Sequence, residues 1–373
     1  VSGRACRVLV VFGTRPEAIK MMPVLAALRA RPGVVTLACA TGQHGALVAD
    51  VLSGFDERAD IDLGVMPAHV GLPLLTGYLL TALAGAIAAA APDLVLVQGD
   101  TLSAFAAALA AHQAQVPVGH VEAGLRSGDL ENPWPEEFHR VAIDALAALR
   151  FAPTAAAAAN LAAEYGSGRV MVTGNTGIDA LFGARRTGVV PVAVREGRRL
   201  LLVTAHRREN WGAPMARIAD AVAVLAQRGD VEVAWPLHPN PRVRGPVAAR
   251  LGGLPGIHLL APLPFCDNVA LMRAAHLVLT DSGGMQEEAP ALGRPVLVLR
   301  EVTERPEVVE AGAALLVGTA TGSILAAAGR LLDDPALHAA MARPVFPYGD
   351  GHAAGRIAQA VGAWWEATSP VTA

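Results

Sequence analysis

Twelve short runs of β-branched and aliphatic residues punctuate this chain, each followed by a longer, alanine-rich stretch of helical character. The first half offers Val8–Phe12, Val34–Ala40, Leu94–Val97, Val116–Val121, Arg150–Ala152 and Val170–Val172. The second offers Leu200–Thr204, Val231–Trp235, Ile257–Leu260, Leu277–Leu279, Val296–Leu299 and Leu315–Val317. Near-continuous apolar strands separated by helices predict parallel sheets covered on both faces. Twelve strands are about twice what one doubly wound domain usually carries, and 373 residues are long for a single core. The expected architecture is α/β, with two Rossmann-like doubly wound parallel-sheet domains facing a cleft. The segment Gly183 to Arg199, rich in Arg, Gly and Val and containing Pro191, reads as the linker.

Composition narrows the function. A net charge of -3 and a pI near 6.4 give no basic footprint for nucleic acid. The three cysteines, Cys6, Cys39 and Cys266, are odd in number and scattered. They suit neither a disulfide framework nor a metal knuckle and point to a reducing, cytoplasmic compartment. The N-terminus enters a strand-like run from Cys6 to Phe12 without a signal-peptide layout. One stretch imitates a membrane span, since Leu74 to Ala91 carries no charge. Its apolarity is largely alanine, Thr76, Gly77, Tyr78, Thr81 and Gly85 interrupt it, and it continues through Pro92-Asp93 into another strand. A spanning helix needs about 20 mostly strongly apolar residues, so a buried or oligomer-interface helix of a soluble protein is expected, with no membrane partner.

The polar chemistry falls where an open parallel sheet binds ligands, beyond the carboxyl ends of the strands. In the first half these turns are Gly13-Thr14-Arg15-Pro16-Glu17, Gln98-Gly99-Asp100-Thr101 and Glu122-Ala123-Gly124-Leu125-Arg126. In the second they are Ala205-His206-Arg207-Arg208-Glu209-Asn210 and Thr280-Asp281-Ser282-Gly283-Gly284, the latter followed by Glu287 and Glu288. Helix capping accounts for part of this: Thr14 and Glu17 have capping-box spacing with Pro16 at an early helical position. It leaves Arg15 and Lys20 unexplained. Lys20 is the only lysine among 30 Lys and Arg residues, which suggests a place where a compact ammonium cannot be replaced by a planar guanidinium. Asp281-Ser282-Gly283-Gly284 could be another cap, but its glycines allow close backbone approach of a phosphate, and the acids one turn later could accept ribose hydroxyls. Glu136 and Glu137 follow Pro135 at a helix start, where acids are favoured by the dipole in any case. With no HExxH or paired-cysteine spacing, no metal site is expected.

These segments resemble the non-hydrolysing UDP-N-acetylglucosamine 2-epimerases of bacteria. The likeness runs in order through the FGTRPEAIKM stretch ending at Met21, Gln43-His44, QGDT ending at Thr101 and GHVEAGLRSGDL ending at Leu130. It continues through PWPEE ending at Glu137, TGNT ending at Thr176, TAHRRENW ending at Trp211 and HPNP ending at Pro241. TDSGGMQEEAPA ending at Ala291, TERPEV ending at Val308 and PYGDG ending at Gly351 complete it. The resemblance implies a fold like that of the B-type glycosyltransferases, a homodimer, no redox cofactor, and UDP held mainly by the second domain. It also implies a C-terminal helix that returns to the first domain, giving domains over 1–182, 183–351 and 352–373. Family members expel UDP from C1 as a proton leaves C2, form an enzyme-bound 2-acetamidoglucal, and add UDP back with protonation on the other face.

By the same resemblance Asp100, Glu122 and Glu136 are the proton-transfer set, with the face served by each unassigned. His206 and Arg15 would steady the diphosphate, with Lys20 nearby or holding the geometry. Ser282, Gly283 and Gly284 would donate to phosphate, Glu288 would take the ribose hydroxyls, and the loop around Phe265 is a candidate uracil contact. Many members also bind a second UDP-GlcNAc and require it for activity. Here that second site is expected to be degenerate: Gln43, Glu136, Arg207 and His238 are retained, but Gly45-Ala46 follows Gln43-His44, and His69 stands where Arg is common. The alternatives are a hydrolysing 2-epimerase releasing ManNAc and UDP, a B-type glycosyltransferase, and a non-catalytic nucleotide-sugar sensor.

Overall fold

A computed structural model describes residues 4–43, 45–64, 70–164, 166, 168–184 and 188–369. The chain divides into two compact units, one formed by Val1–Ala184 with Tyr348–Ala373 and the other by Arg185–Pro347. In the first, β1 (Cys6–Phe12), α1 (Arg15–Arg29), β2 (Val34–Ala40), α2 (Gly45–Gly54), β3 (Ile61–Asp62), α3 (Leu72–Ala90) and β4 (Leu94–Gln98) follow in order. They are succeeded by α4 (Leu102–Gln113), β5 (Val118–Val121), α5 (Glu136–Leu146), β6 (Leu149–Ala152), α6 (Ala155–Ala163), β7 (Arg169–Val172) and α7 (Thr176–Gly183). The sheet runs β3-β2-β1-β4-β5-β6-β7 with parallel pairing.

Strand alternation explains the layering. Along β1, Val8, Val10 and Phe12 join a core with Met21, Leu25 and Leu28 of α1. Leu9 and Val11 point the other way, into a core with Leu79 and Leu83 of α3 and a row of buried alanines on α4. The sheet is thus buried on both sides, as its unbroken apolar runs require. Helix α3 contributes one stripe, Leu79, Leu83, Ala86, Ile87 and Ala90. Its other faces stay open, with Leu74 63% and Tyr78 57% exposed. The expectation of a buried helix therefore holds for that stripe alone. By length and composition α3 could cross a membrane; here it covers a sheet.

The second unit contains β8 (Arg199–Thr204), α8 (Ala213–Ala226), β9 (Val231–Pro236), α9 (Pro241–Leu251), β10 (Ile257–Leu260), α10 (Phe265–Ala274) and β11 (Leu277–Thr280). Then come α11 (Gly283–Ala291), β12 (Val296–Val298), α12 (Pro306–Glu310), β13 (Ala314–Leu316), α13 (Thr321–Asp333) and α14 (Pro335–Met341). Its parallel sheet is ordered β10-β9-β8-β11-β12-β13. Trp235, fully buried, lies in a core with α8, α9 and α13.

The final helix, α15 (Ala353–Thr368), belongs to the first unit. Asp179 of α7 accepts from its first amides, Ala353 N at 3.2 Å and Ala354 N at 2.8 Å. Its Ile357, Ala358 and Val361 enter the same core as Val8, Val10 and Phe12. Burial pushes the Asp179 carboxyl up, although these amides oppose the shift. Both sheets therefore reverse strand order at one point, between β1 and β4 in the first unit and between β8 and β11 in the second.

Candidate active site

In the first unit the polar turns after β1, β4 and β5 meet at that reversal point. Thr14 caps α1, and Glu17 completes the box, its Oε2 accepting from Gly13 N at 3.2 Å and Thr14 N at 2.7 Å. The other oxygen of Glu17 accepts from Thr101 Oγ1 at 2.7 Å, tying the β1 turn to the β4 turn. Glu17 is 1% exposed, and burial raises its pKa against four lowering hydrogen bonds. Gly13 has no room for a side chain, because a Cβ there would collide with Ser103 and Thr41. The capping reading of Thr14 and Glu17 is thus correct and incomplete.

Asp100 and Glu122 occupy the next two turns. Glu122 directly follows β5 with φ +68°, a left-handed backbone that costs a non-glycine residue about 1–3 kcal/mol. That conformation is held from the side chain: Lys20 Nζ donates to its two oxygens at 2.7 and 2.6 Å, and Gln98 Nε2 donates as well. The sole lysine is therefore the cation of a carboxylate 102 residues away. Asp100 accepts from Arg140, and its carbonyl accepts from His139 Nδ1 at 2.9 Å. Glu136 opens α5, half-buried, and with Asp100 it tends to raise the His139 pKa. Burial dominates and leaves His139 below the ordinary histidine value. Arg15 begins α1, half-buried.

In the second unit Asp281 organises the reversal point. Fully buried, it accepts from His206 N at 2.9 Å, Arg207 N at 2.9 Å and Asn210 Nδ2 at 2.9 Å. The His206 ring lies 3.5 Å from Asp281 through Nδ1 and stacks on His238 with centroids 5.6 Å apart. Burial, His238 and Arg207 lower the His206 pKa while Asp281 opposes them. Ser282 precedes α11 in extended conformation, and its N donates to Thr280 Oγ1 at 2.9 Å. A Cβ on Gly283 would lie 3.5 Å from the Arg207 guanidinium and 3.6 Å from that of Arg305. Two cations thus flank a helix N-terminus, whose amides already carry about half a positive charge. Such a place receives phosphate. Glu288 lies one turn on, half-buried, and Phe265 begins α10 at 5% exposure.

The residues of the expected second site are divided between the two units. Gln43 accepts from Ser103 Oγ at 2.9 Å, and Gly45 and Ala46 are exposed at the start of α2. Arg207 and His238 belong to the second unit, with His238 exposed after β9. His44 and His69 lie outside the described residues. Among the described residues, no three His, Cys, Asp or Glu side chains converge as a metal site.

Acids paired with cations thus stand at the switch point of one sheet, and an anion-receptive helix start at that of the other. A family model described as UDP-N-acetylglucosamine 2-epimerase matches residues 26–362. The chain belongs to the UDP-N-acetylglucosamine 2-epimerase family. A Ralstonia nicotianae relative is 48% identical over 373 residues, covering 96% of this chain and 99% of its own. The UDP-N-acetylglucosamine 2-epimerase of Escherichia coli is 44% identical over 368 residues, covering 95% and 98%. The crystal structure of the Neisseria meningitidis UDP-GlcNAc 2-epimerase bound to UDP-GlcNAc is similar with a TM-score of 0.87 and 40% identity, over 96% of this chain and 100% of that one.

Within this 2-epimerase family chain, the sequence reading named the turns holding Gln98 and Asp281 but gave those two residues no role of their own, and it passed over His139, Arg140 and Arg305. Arg140 stands four residues after Glu136 on α5, so helical spacing from an acid could have flagged it. The organising role of Asp281 could have been read from its place at the end of a wholly buried strand, where a charge needs partners. Nothing in the chain announces that His139 reaches the Asp100 carbonyl.

Proposed function

We propose that this epimerase interconverts UDP-GlcNAc and UDP-ManNAc by eliminating UDP and adding it back. A carboxylate takes the proton from C2, the C1–C2 double bond forms, and the C1–O electron pair leaves with UDP. In the return, the UDP oxygen bonds to C1 and a carboxylic acid delivers a proton to the opposite face of C2. Asp100, Glu122 and Glu136 are the proton-transfer groups of this reading. The observation that carries it is Glu122, strained at φ +68° and gripped through both oxygens by Lys20. An ion pair formed for stability alone has no need of a strained backbone, whereas a reacting acid gains a fixed position from it.

Leaving-group stabilisation falls to the second unit. The α11 start with Arg207 and Arg305 suits the diphosphate, and His206, kept largely neutral by burial, can donate to an oxygen on which charge develops. Ser282, Gly283 and Gly284 supply amides, Arg15 further charge, Glu288 an acceptor for ribose and Phe265 a candidate uracil contact. We infer further that no second UDP-GlcNAc is needed, since exposed Gly45 and Ala46 offer no side-chain donor to one.

The test is a ¹H NMR time course with UDP-GlcNAc in D₂O and no added metal or nucleotide cofactor. Appearance of UDP-ManNAc with deuterium at C2 is expected. Free ManNAc and UDP as the main products would establish hydrolysis instead, and loss of activity on chelation would overturn the metal-free mechanism.

A further inference from the structure

Behind the Asp100 and Glu122 turns lies a fully buried histidine that the proposed chemistry does not use. His120 sits in the middle of β5, paired with Val97 of β4 and Arg150 of β6, and is 0% exposed. Its Nδ1 lies 2.6 Å from Asp144 Oδ1 and its Nε2 2.8 Å from the Gly99 carbonyl. Both neighbours present an oxygen that can accept from a ring N–H. Asp144, on α5 and 2% exposed, uses its other oxygen to accept from Gly124 N at 3.0 Å and Arg126 Nη2 at 2.8 Å. Burial pushes this carboxyl up, but His120 and Arg126 outweigh burial and hold it below the usual range.

The chain of contacts has two ends. One is Gly99, the residue before Asp100, with φ +68°; the other is Gly124, two residues past Glu122, with φ +84°. We propose that His120 and Asp144 form a positioning pair that fixes the Asp100 turn relative to the Glu122 turn. This rests on the proton-transfer roles assigned above. His139 assists by holding the next carbonyl, that of Asp100. Two successive carbonyls are thus gripped by two histidines, one from the sheet and one from α5. Neither His120 nor Asp144 touches the reacting atoms in this scheme; they act through the backbone that carries the acids. A displacement of about 1 Å at such a turn can cost about 10²-fold in rate.

Two substitutions separate the ends of the pair. His120→Gln can place its amide nitrogen near the former Nε2 and keep the bond to Gly99. His120→Asn can reach only the former Nδ1 position and keeps the bond to Asp144. Turnover, KM, UDP affinity by calorimetry and melting temperature are measured on the full chain for both. Each variant cuts one of the two links between the turns, so both are expected to lose about 10²-fold in kcat. KM and UDP affinity should change less than about threefold in each. Near-native turnover in either folded variant would overturn the proposal, as would a loss of UDP affinity that matches the loss of turnover. If His120→Asn does not fold, His120→Gln decides alone: a folded, UDP-binding variant with near-native turnover would overturn the proposal. Absence of C2 deuteration by the parent enzyme would instead overturn the reaction assigned above, before any variant is compared.

Discussion

Replacing Lys20 by Met offers the sharpest test of the unusual lysine. Its ammonium lies within 2.7 Å of each Glu122 oxygen, and the two side chains are 25% and 8% exposed. Methionine keeps the length and the packing of the stem but leaves the carboxylate with Gln98 as its remaining named donor. Stranding one partner of a buried pair costs about 3–5 kcal/mol. Since a quarter of the lysine already meets water, about 2–3 kcal/mol is the better figure here. For a unit of about 200 residues, each kcal/mol lowers the melting temperature by roughly 2–4 °C. The first unit should therefore melt roughly 4–12 °C lower by calorimetry. Adding Glu122→Gln removes the stranded charge and should restore much of that loss, while turnover stays low because the acid is gone. Lys20→Arg should fall between parent and Lys20→Met, because it keeps the charge but replaces a compact ammonium with a longer, planar fork. A Lys20→Met protein melting within about 2 °C of the parent, or a double variant no more stable than the single one, would refute the reasoning.

Asp100→Asn, Glu122→Gln and Glu136→Gln should each reduce kcat by about 10²–10⁴-fold with little change in UDP affinity, and a variant with near-native turnover would leave the proton-transfer set. Burial holds His206 below the ordinary histidine value, so its ring signals in an NMR titration should move at a pH under about 6.5; movement at or above that value would contradict the assigned surroundings. His276 stacks on His338 with centroids 3.7 Å apart, and burial, His338, Arg199 and Arg294 lower its pKa to about 4. The unfolded chain then binds this proton more readily than the fold does, so stability should fall as pH drops from about 6.5 toward 4, and His276→Asn should flatten that part of the melting-temperature profile. UDP-ManNAc alone should be epimerised without a lag, and initial rates with UDP-GlcNAc should follow a hyperbola; a sigmoidal curve would restore the second site.

Much of the architecture was legible because buried parallel strands write themselves as apolar runs bounded by polar turns. All twelve runs correspond to strands. β3 was not foreseen, since only Ile61 and Asp62 pair with β2 and two residues make no pattern. For helix α3, dilution with alanine argued for packing against protein, but hydropathy could not say that a single stripe would be buried. For the site, the turns were visible because polar and glycine residues interrupt the pattern at carboxyl ends of strands. Partner identities were not. Glu122 is not a residue type that favours left-handed backbone, and its ion pair closes a 102-residue separation. His120 reads in sequence as one more residue of a buried strand, and only the fold reveals acceptors at both nitrogens.

The discontinuous makeup of the first unit has a consequence for biosynthesis. A ribosome releases β1 to α7 long before α15, with the whole second unit intervening. Until the last helix emerges, the Val8, Val10 and Phe12 side of the first sheet lacks the cover of Ile357, Ala358 and Val361, and Asp179 lacks the amides it caps. The nascent first unit therefore carries exposed apolar surface through synthesis of more than a hundred and fifty residues, which at about 5–20 residues per second is a matter of many seconds. Chaperone capture in that interval, and aggregation of chains stopped just short of residue 353, are the expected marks of a domain whose closing piece is translated after the whole second unit.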